Sequence, residues 1–455
     1  MKKKGVNLPV MQYCQKMYFP HTFFDNGSTP AKRKYRQKCT SMYTFDGEFW
    51  QGQNIASVWN LPPSMAEALF FHACCHIKRC FSFILLSQLN PVVQQLYLFF
   101  LEKEDSILDV MSQLHIPEKY RSLLSVKETE QAIVRIKQFF QQALSTELNL
   151  TRVTAPLFVP RGKGLNDDLN GTERPVRFPV KDMQEQELEI VHSLAKWKRV
   201  KIGEMGLEPN FGIYTDMNAI RADEELDNIH SLYVDQWDWE LAITDSDRNI
   251  DFLKDLVKRI YRCLKRTEFF IYDNYQCIRP LLPQKITFIH TEDLYAHYPE
   301  LPAKERERKC TEQYGAVFLI GIGSKLANGA AHDGRAPDYD DWSTPTGNGK
   351  HGLNGDLLVW NPVLKDALEL SSMGIRVNPH AMKAQLAERG CTDREKLFFH
   401  SLLLNGALPQ TAGGGIGQSR LCMFFLRKAH IGETQVSVWP DAMREECARC
   451  GVPLL

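Results

Sequence analysis

The chain has no excess of either charge. Its 455 residues carry 55 Lys and Arg against 55 Asp and Glu, so no overall basic footprint marks it as a nucleic-acid binder. Nor is there a cysteine framework. Twelve cysteines are scattered without regular spacing, which in a long chain fits reduced thiols better than a disulfide scaffold. Cys447 and Cys450 form a lone Cys-x-x-Cys with no second pair beside it, too little for a metal or redox site. Lys2, Lys3 and Lys4 open the chain without the clean apolar run of a secretion signal. The stretch from Leu69 to Leu101 is apolar but broken by His76, Lys78, Arg79 and Gln88, which makes it a poor membrane span. Internal repeats and low-complexity blocks are missing too. What remains is a globular composition, 44% apolar and 24% charged, long enough for one large or two ordinary domains.

Organised periodicity starts late. Before Met111, the cluster Lys32-Arg33-Lys34-Tyr35-Arg36 reads as surface charge, and His72, Cys74, Cys75, His76 and Cys80 match no closed zinc pattern. Residues 1–110 are expected to be a poorly organised extension, explained by a mis-assigned start, with the folded catalytic unit spanning 111–455. Ser125-x-x-Glu128 is a capping box. Ile133, Ile136, Phe140 and Leu144 follow at helical spacing. Arg152 to Val159 reads as one strand interrupted by Pro156, and Val176 to Val180 as another. By charge alone, His192 to Arg199 is a solvated helix face. Tyr214–Arg221 and Leu232–Glu240 read as paired strands around an acidic loop. Alternation along the second puts Val234, Gln236, Asp238 and Glu240 on one face. Asp247–Glu268 is an amphipathic helix, Lys285–Tyr298 a strand and short helix, and Ala316–Gly323 a buried strand.

The chemistry concentrates between Asp356 and Arg376. Leu357, Leu358, Val359 and Trp360 form a short apolar run, a buried strand opened by Asp356. Glu369 and Ser371 fall on the returning strand, with Arg376 at its far end. Two carboxylates on neighbouring strands can hold a hard cation, as Mg²⁺ sites with one or two carboxylates plus substrate phosphates do. Ser371 and Ser372 can line a small-ligand pocket. Further on, Gly413-Gly414-Gly415-Ile416-Gly417 lets backbone approach a ligand closely, and Arg420 can reach phosphate. The segment His332–Pro345 is densely polar and includes Asp340 and Asp341. Gly162–Gly171, with Asp167, has the composition of a turn.

Taken in this order, these words resemble the third motif of class II aminoacyl-tRNA synthetase catalytic domains of the aspartyl and asparaginyl branch. Tyr233-Val-Asp-Gln-Trp-Asp-Trp-Glu240 and Arg335-Ala-Pro-Asp-Tyr-Asp-Asp-Trp342 narrow the resemblance to ammonia-dependent asparagine synthetases. These are aspartate–ammonia ligases built on that core, and the likeness runs from about Met111 to Leu455. It implies an α+β fold: a mostly antiparallel sheet flanked by helices. It also implies a homodimer formed through the first helix and strand, a cytoplasmic location, and neither nucleic-acid nor membrane partners. The implied substrates are ATP, L-aspartate and ammonia, with Mg²⁺. Asp356 and Glu369 would hold the metal; Arg221 and Arg420 would neutralise phosphate. Lys198 and Arg376 would fix aspartate carboxylates, with Ser193, Asp238, Asp340, Ser371 and Ser372 around the substrate. Gln236 would point into the same pocket, and Asp167 would handle the nitrogen nucleophile. Asp167 is expected on a loop, and the cations and metal ligands on sheet strands.

Two rivals stand beside this reading. An aspartyl- or asparaginyl-tRNA synthetase would carry an N-terminal five-stranded barrel, yet residues 1–110 show no short strands at regular spacing. A non-catalytic, synthetase-derived module would have lost its phosphate and metal residues, yet Arg221, Asp356, Glu369 and Arg420 are all present.

Overall fold

A computed structural model describes residues 114–167, 169 and 173–455, together with a two-residue strand pair upstream: β1 (Thr44–Phe45), antiparallel to β2 (Glu48–Phe49). The chain divides into two compact units, Met1–Leu101 and Glu102–Leu455. The basic cluster at 32–36, the apolar stretch at 69–101 and the His/Cys group at 72–80 lie outside the described residues.

Helix α1 (Val126–Leu148) starts where the capping box places it. Ser125 Oγ accepts the Glu128 N–H at 3.3 Å, and the Glu128 carboxylate accepts the Ser125 N–H at 2.9 Å. The helical stripe Ile133, Ile136, Phe140 and Leu144 is buried, and the Phe140 ring lies 4.9 Å from that of Trp237. The helix ends at Asn149, whose left-handed conformation turns the chain into β3 (Leu150–Arg152). The single strand expected over Arg152–Val159 is in fact two. After β3 the chain leaves the main sheet, and β4 (Phe158–Pro160) starts a separate three-stranded sheet with β5 (Arg177–Val180) and β6 (Gln186–Ile190). Pro156 explains the break: it has no N–H for a ladder and restricts the residue before it.

After α2 (Ala195–Met205) come β7 (Gly212–Ile220), β8 (Tyr233–Ala242) and α3 (Ile250–Asn274). Next are β9 (Thr287–His290), α4 (Thr291–His297), α5 (Ala303–Tyr314), β10 (Ala316–Ile320) and a small hairpin, β11 (Pro345–Gly347) with β12 (Lys350–His351). β13 (Asn354–Asn361), β14 (Asp366–Ile375), α6 (Pro379–Glu388), α7 (Phe398–Leu404), β15 (Thr411–Gly417), α8 (Gln418–Phe425) and α9 (Asp441–Arg449) complete the chain. The main sheet has eight strands in the order β3-β7-β8-β15-β14-β13-β10-β9. Only its two outermost pairs, β3–β7 and β9–β10, are parallel. The fold is the expected α+β arrangement, a mostly antiparallel sheet flanked by helices. One face packs α1, α3 and α8 over Trp237, Trp239, Leu357 and Val359. The opposite face carries Gln236, Asp238 and Glu240, as the period of two along β8 requires.

The glycine run is extended throughout. It is β15, a central strand between β8 and β14. Gly413 pairs with Glu240 and Gly415 with Asp238. A Cβ on Gly413 would fall 2.0 Å from Glu240 Oε2, and one on Gly415 would fall 2.3 Å from Gln236 Oε1. On the other face, a Cβ on Gly414 would meet Met373 Cβ at 2.5 Å. Side chains from the flanking strands thus lie across β15, and only glycine leaves them room. Asp356 is the third residue of β13 rather than its first. A bulge then pairs Leu357 with Ser371 and Leu358 with Glu369, skipping Leu370, and so re-aims the side chains of β14.

A Gly413→Ala substitution should therefore disrupt the Glu240 carboxylate while keeping the strand. We expect a loss of about 1–3 kcal/mol in chemical denaturation, the usual range for overpacking, with activity falling further than stability. Wild-type stability in this variant would contradict the packing described.

Candidate active site

The polar face of the sheet floors one cavity of about 380 Å³, within the roughly 300–1,000 Å³ range of small-ligand clefts. At its base Arg376, immediately after β14, reaches back over β15. Its Nε lies 3.0 Å from Glu240 Oε1 and its Nη2 2.8 Å from Glu240 Oε2, while Nη1 pairs with Asp340. Glu240 is fully buried and also accepts the Thr411 hydroxyl at 2.7 Å. Burial opposes its charge, yet Arg376 and Lys198 hold its carboxyl below the ordinary carboxylate range. Burial pushes Asp340 the other way, above that range, against the pull of Arg376 and Arg335.

The charges of α2 do not form a solvated face. Lys196, Lys198 and Arg199 are all buried. Lys198 Nζ donates to the carbonyls of Trp239 at 3.0 Å and Gly414 at 3.1 Å, and lies 3.2 Å from Asp238 Oδ2. Arg199 donates to the carbonyls of Val377 and Pro409. Lys196 meets Asp338 at 3.0 Å, and His400 shares that carboxylate at the same distance. Each partner is distant in sequence, which is why local charge pattern misreads the helix.

At one end of the cavity the chain brings Arg221, Glu369 and Arg420 together. Arg221 follows the last residue of β7 and lies 3.4 Å from Glu224. Arg420, on the first turn of α8, donates to the carbonyls of Ile229 and Glu369 and approaches Glu369 Oε2 at 3.5 Å. The Ser419 N–H, in the same turn, is held at 3.0 Å by Asp235, which also meets Lys137 at 2.9 Å. Against desolvation in this crowded corner, Arg420, Arg335, Lys304 and Arg221 hold Glu369 below its usual range. Asp356 is the one predicted site residue that does not line the cavity; it lies behind Arg335, with Arg335 Nη2 at 2.5 Å. Burial, reinforced by the Glu369 charge and opposed by Arg335, pushes its carboxyl up to about 7.

At the other end stand Asp167 and Ser193. Asp167 is on a loop, as expected, but it is 2% exposed and tightly held. Its carboxylate accepts the Ser193 hydroxyl and the Leu169 N–H, each at 3.0 Å. Gln236 lies across Gly415, Asp238 accepts the Leu194 N–H at 3.2 Å, and Ser371 Oγ donates to the Gly415 carbonyl at 2.8 Å. Ser372 lines the same wall. Asp341 is turned away, bound to Arg248 and to the turn at Ser343 and Thr344. The cations are not all on strands: Lys198 is on α2 and Arg420 on α8.

Among the lining groups that sequence reasoning did not assign to the site are His192, Lys304, Arg335 and Tyr339. Arg335 and Tyr339 sit inside the motif that carried the resemblance, so their position was legible, though not their role. It also missed Glu240, although the alternation had placed it on the same face as Asp238. Lys304 belongs to α5, which no periodicity announced.

The model of the aspartate–ammonia ligase family matches residues 127–451. The aspartate–ammonia ligase of Parabacteroides distasonis is 60% identical over 345 residues, 76% of this chain and 100% of that protein. A Clostridium perfringens enzyme of the same name is 55% identical over the same shares. Among solved structures, the asparaginyl-tRNA synthetase of Entamoeba histolytica with asparaginyl-adenylate superposes with a TM-score of 0.52 at 14% identity, covering 68% of this chain and 66% of its own. The Pyrococcus horikoshii asparaginyl-tRNA synthetase, also with its adenylate, gives 0.52 at 16% identity, covering 69% and 70%. At such identities these two show a shared fold.

Glu240→Gln tests the floor. Because the folded-state carboxyl is shifted down, its contribution is present above the unfolded carboxylate value and is lost as pH falls. The variant should be less stable than wild type by about 3 kcal/mol at pH 7, the scale for breaking a buried pair. The gap should narrow below about pH 4. A gap independent of pH, read from denaturation curves, would refute the ion-pair account.

Proposed function

Because the chain belongs to the aspartate–ammonia ligase family, which makes asparagine from aspartate and ammonia using ATP, we propose that this cavity runs the synthesis through a β-aspartyl adenylate. The side-chain carboxylate of aspartate attacks the α-phosphorus of ATP and pyrophosphate leaves. Ammonia then attacks the acyl carbon, a C–N bond forms, and the C–O bond to phosphate breaks, releasing AMP. The observation that carries this reading is the gathering in one cavity of an arginine pair at one end, a carboxylate held by a serine hydroxyl at the other, and a glycine-floored ionic network between them.

Each group has a physical task. Arg221 and Arg420 neutralise charge that develops on the phosphates, which is electrostatic preorganisation. Lys198 and Arg376 already have acidic partners, so aspartate joins a fixed network rather than capturing free cations. Its carboxylates meet those cations and its ammonium meets Asp238 and Asp340, which makes adenylation effectively intramolecular. Ser193, Ser371, Ser372 and Gln236 supply neutral hydrogen-bonding groups around it. Asp167 attracts ammonium and accepts a proton, a general-base role.

Asp356 and Glu369 fit Mg²⁺. They are hard oxygen donors on paired strands, and their mutual repulsion helps raise the Asp356 carboxyl, a crowding that a divalent cation relieves. Two carboxylates with substrate phosphates match the ordinary Mg²⁺ set. When bound, the ion would polarise and orient the phosphates. Arg335 would then release or share Asp356.

We also read the chain as a cytoplasmic homodimer. Described cysteines such as Cys263, Cys310 and Cys422 are free thiols, and exposed Val126 and Val134 on α1 support an interface there. No helix among the described residues is long and apolar enough to cross a membrane.

The test supplies aspartate, ATP and Mg²⁺ with ammonium, glutamine or tRNA, and follows AMP and product. Ammonium alone should drive asparagine formation; product made only with glutamine, or only as aminoacyl-tRNA, would overturn the reading. In Arg420→Ala, aspartate-dependent pyrophosphate release should drop roughly a hundredfold or more with the fold intact. Near-normal release would remove Arg420 from phosphate binding.

A chain starting at Met111 should fold and retain full activity. The support is that relatives of this family match along their whole length over 345 residues of this chain. Loss of soluble, active protein on that truncation would show that residues 1–110 contribute.

A further inference from the structure

Converting ammonium into a primary amide removes two protons from nitrogen: one to make it nucleophilic, one after it bonds to carbon. The Asp167 carboxylate accounts for one acceptor. His192 occupies the same cavity, between β6 and α2, with 0% of its surface exposed. Its backbone N–H donates to Asn166 Oδ1 at 2.8 Å, and its ring Nδ1 lies 3.1 Å from the Asp167 carbonyl oxygen. A carbonyl oxygen only accepts, so Nδ1 carries the hydrogen, and this contact selects the tautomer in which Nε2 is the proton-accepting nitrogen. That Nε2 is buried and has no hydrogen-bond partner among the described residues. A buried acceptor without a donor is unfavourable until a ligand supplies one. Here it stands beside the residue whose own backbone fixes the tautomer.

We propose that His192 Nε2 is the second proton acceptor of the nitrogen site, so that Asp167 and His192 together strip the two protons. One acceptor takes a proton from ammonium. The resulting ammonia attacks the adenylate carbon, and the electron pair of the breaking C–O bond leaves with AMP. The other acceptor then takes the proton from the newly bonded nitrogen; the order is not fixed, and where only one proton must leave, Asp167 alone suffices. The Asp167 main chain orients the imidazole, and Ser193 orients the Asp167 carboxylate, so both acceptors are set by one short stretch of structure. This inference rests on reading the cavity as the site of asparagine synthesis.

His192→Asn puts an amide nitrogen near the place of Nδ1, keeping a donor for the Asp167 carbonyl while removing the Nε2 position. His192→Gln reaches toward Nε2 with an amide that cannot take a proton, and serves as the second variant if the first folds poorly. In the full chain, three rates are compared: aspartate-dependent ATP–pyrophosphate exchange, asparagine formation with ammonium, and hydroxamate formation with hydroxylamine. Hydroxylamine is mostly neutral at pH 7 and so has one proton fewer to lose. We expect exchange within about twofold of wild type, ammonium-driven synthesis down about tenfold or more, and the hydroxylamine reaction largely spared. Equal losses with both nucleophiles, or exchange falling in step, would overturn the proposal and leave His192 a packing residue. Asp167→Asn is run alongside. If it spares the ammonium step, the two-acceptor proposal is overturned even where His192→Asn slows that step. If no exchange and no product form even in wild type, the functional reading itself fails.

Discussion

The cavity depends on one buried guanidinium. Arg376 joins Glu240 of β8 and Asp340 of the polar segment before β11, while its own backbone continues β14. Three separate parts of the chain are thereby fixed around a single cation, and β15 passes beneath them with glycine where any side chain would collide. Buried ion pairs add little net stability against an apolar alternative, so burial of this cluster is better understood as positioning. It holds two carboxylates and two cations at set places, a charge pattern that on the proposed reading receives a zwitterionic amino acid. Water reorganises around a substrate; this network is already oriented before substrate arrives.

The two ends of the cavity differ in how their charges are held. At the end formed by Arg221, Glu369 and Arg420, Arg221 keeps 24% and Arg420 21% of its side chain exposed, and Glu369 keeps 39%. Their carboxylate contacts, at 3.4–3.5 Å, are long, and on the proposed reading both guanidiniums exchange these partners for an incoming phosphate. At the floor and the opposite end, Lys198, Asp167, Glu240 and Arg376 are nearly inaccessible, and each has short contacts. The half-exposed end suits a substrate that enters and leaves as a polyanion. The sealed end suits chemistry that must proceed without water.

Local signals in the sequence were read correctly where the physics is local. The capping box at Ser125 and Glu128, the stripe of α1, and the alternation along β8 depend on neighbours within four residues, and each appears as written. Signals that depend on distant partners were misread or missed. The cations of α2 look solvated until Asp338, Gly414 and Val377 are brought to them, from 142 to 216 residues away. The glycines of β15 give no sign of a central strand until β8 and β14 lie on either side. Asp356 falls behind Arg335 rather than lining the cavity, a placement that depends on a contact 21 residues away in sequence. Most candidate site residues came from the resemblance to a family rather than from spacing, because spacing says which side chains share a face but not what crosses above them.

An acyl adenylate is as open to hydrolysis as to amide formation, and water greatly outnumbers any nitrogen nucleophile. Charge is what distinguishes the donors before reaction: ammonium is a cation and water is neutral. On the proposed reading, the Asp167 carboxylate attracts the cation, while its burial leaves little room for bulk solvent. Attraction alone would trap ammonium in its unreactive form, since a well-paired cation is harder to deprotonate. A competent site therefore needs acceptors strong enough to take protons as well as charges that hold the ion. A neutral imidazole beside a carboxylate meets both needs, because it accepts a proton without adding negative charge that would bind ammonium more tightly. Selectivity for nitrogen over water then follows from a charged pocket wall and a neutral base acting in sequence.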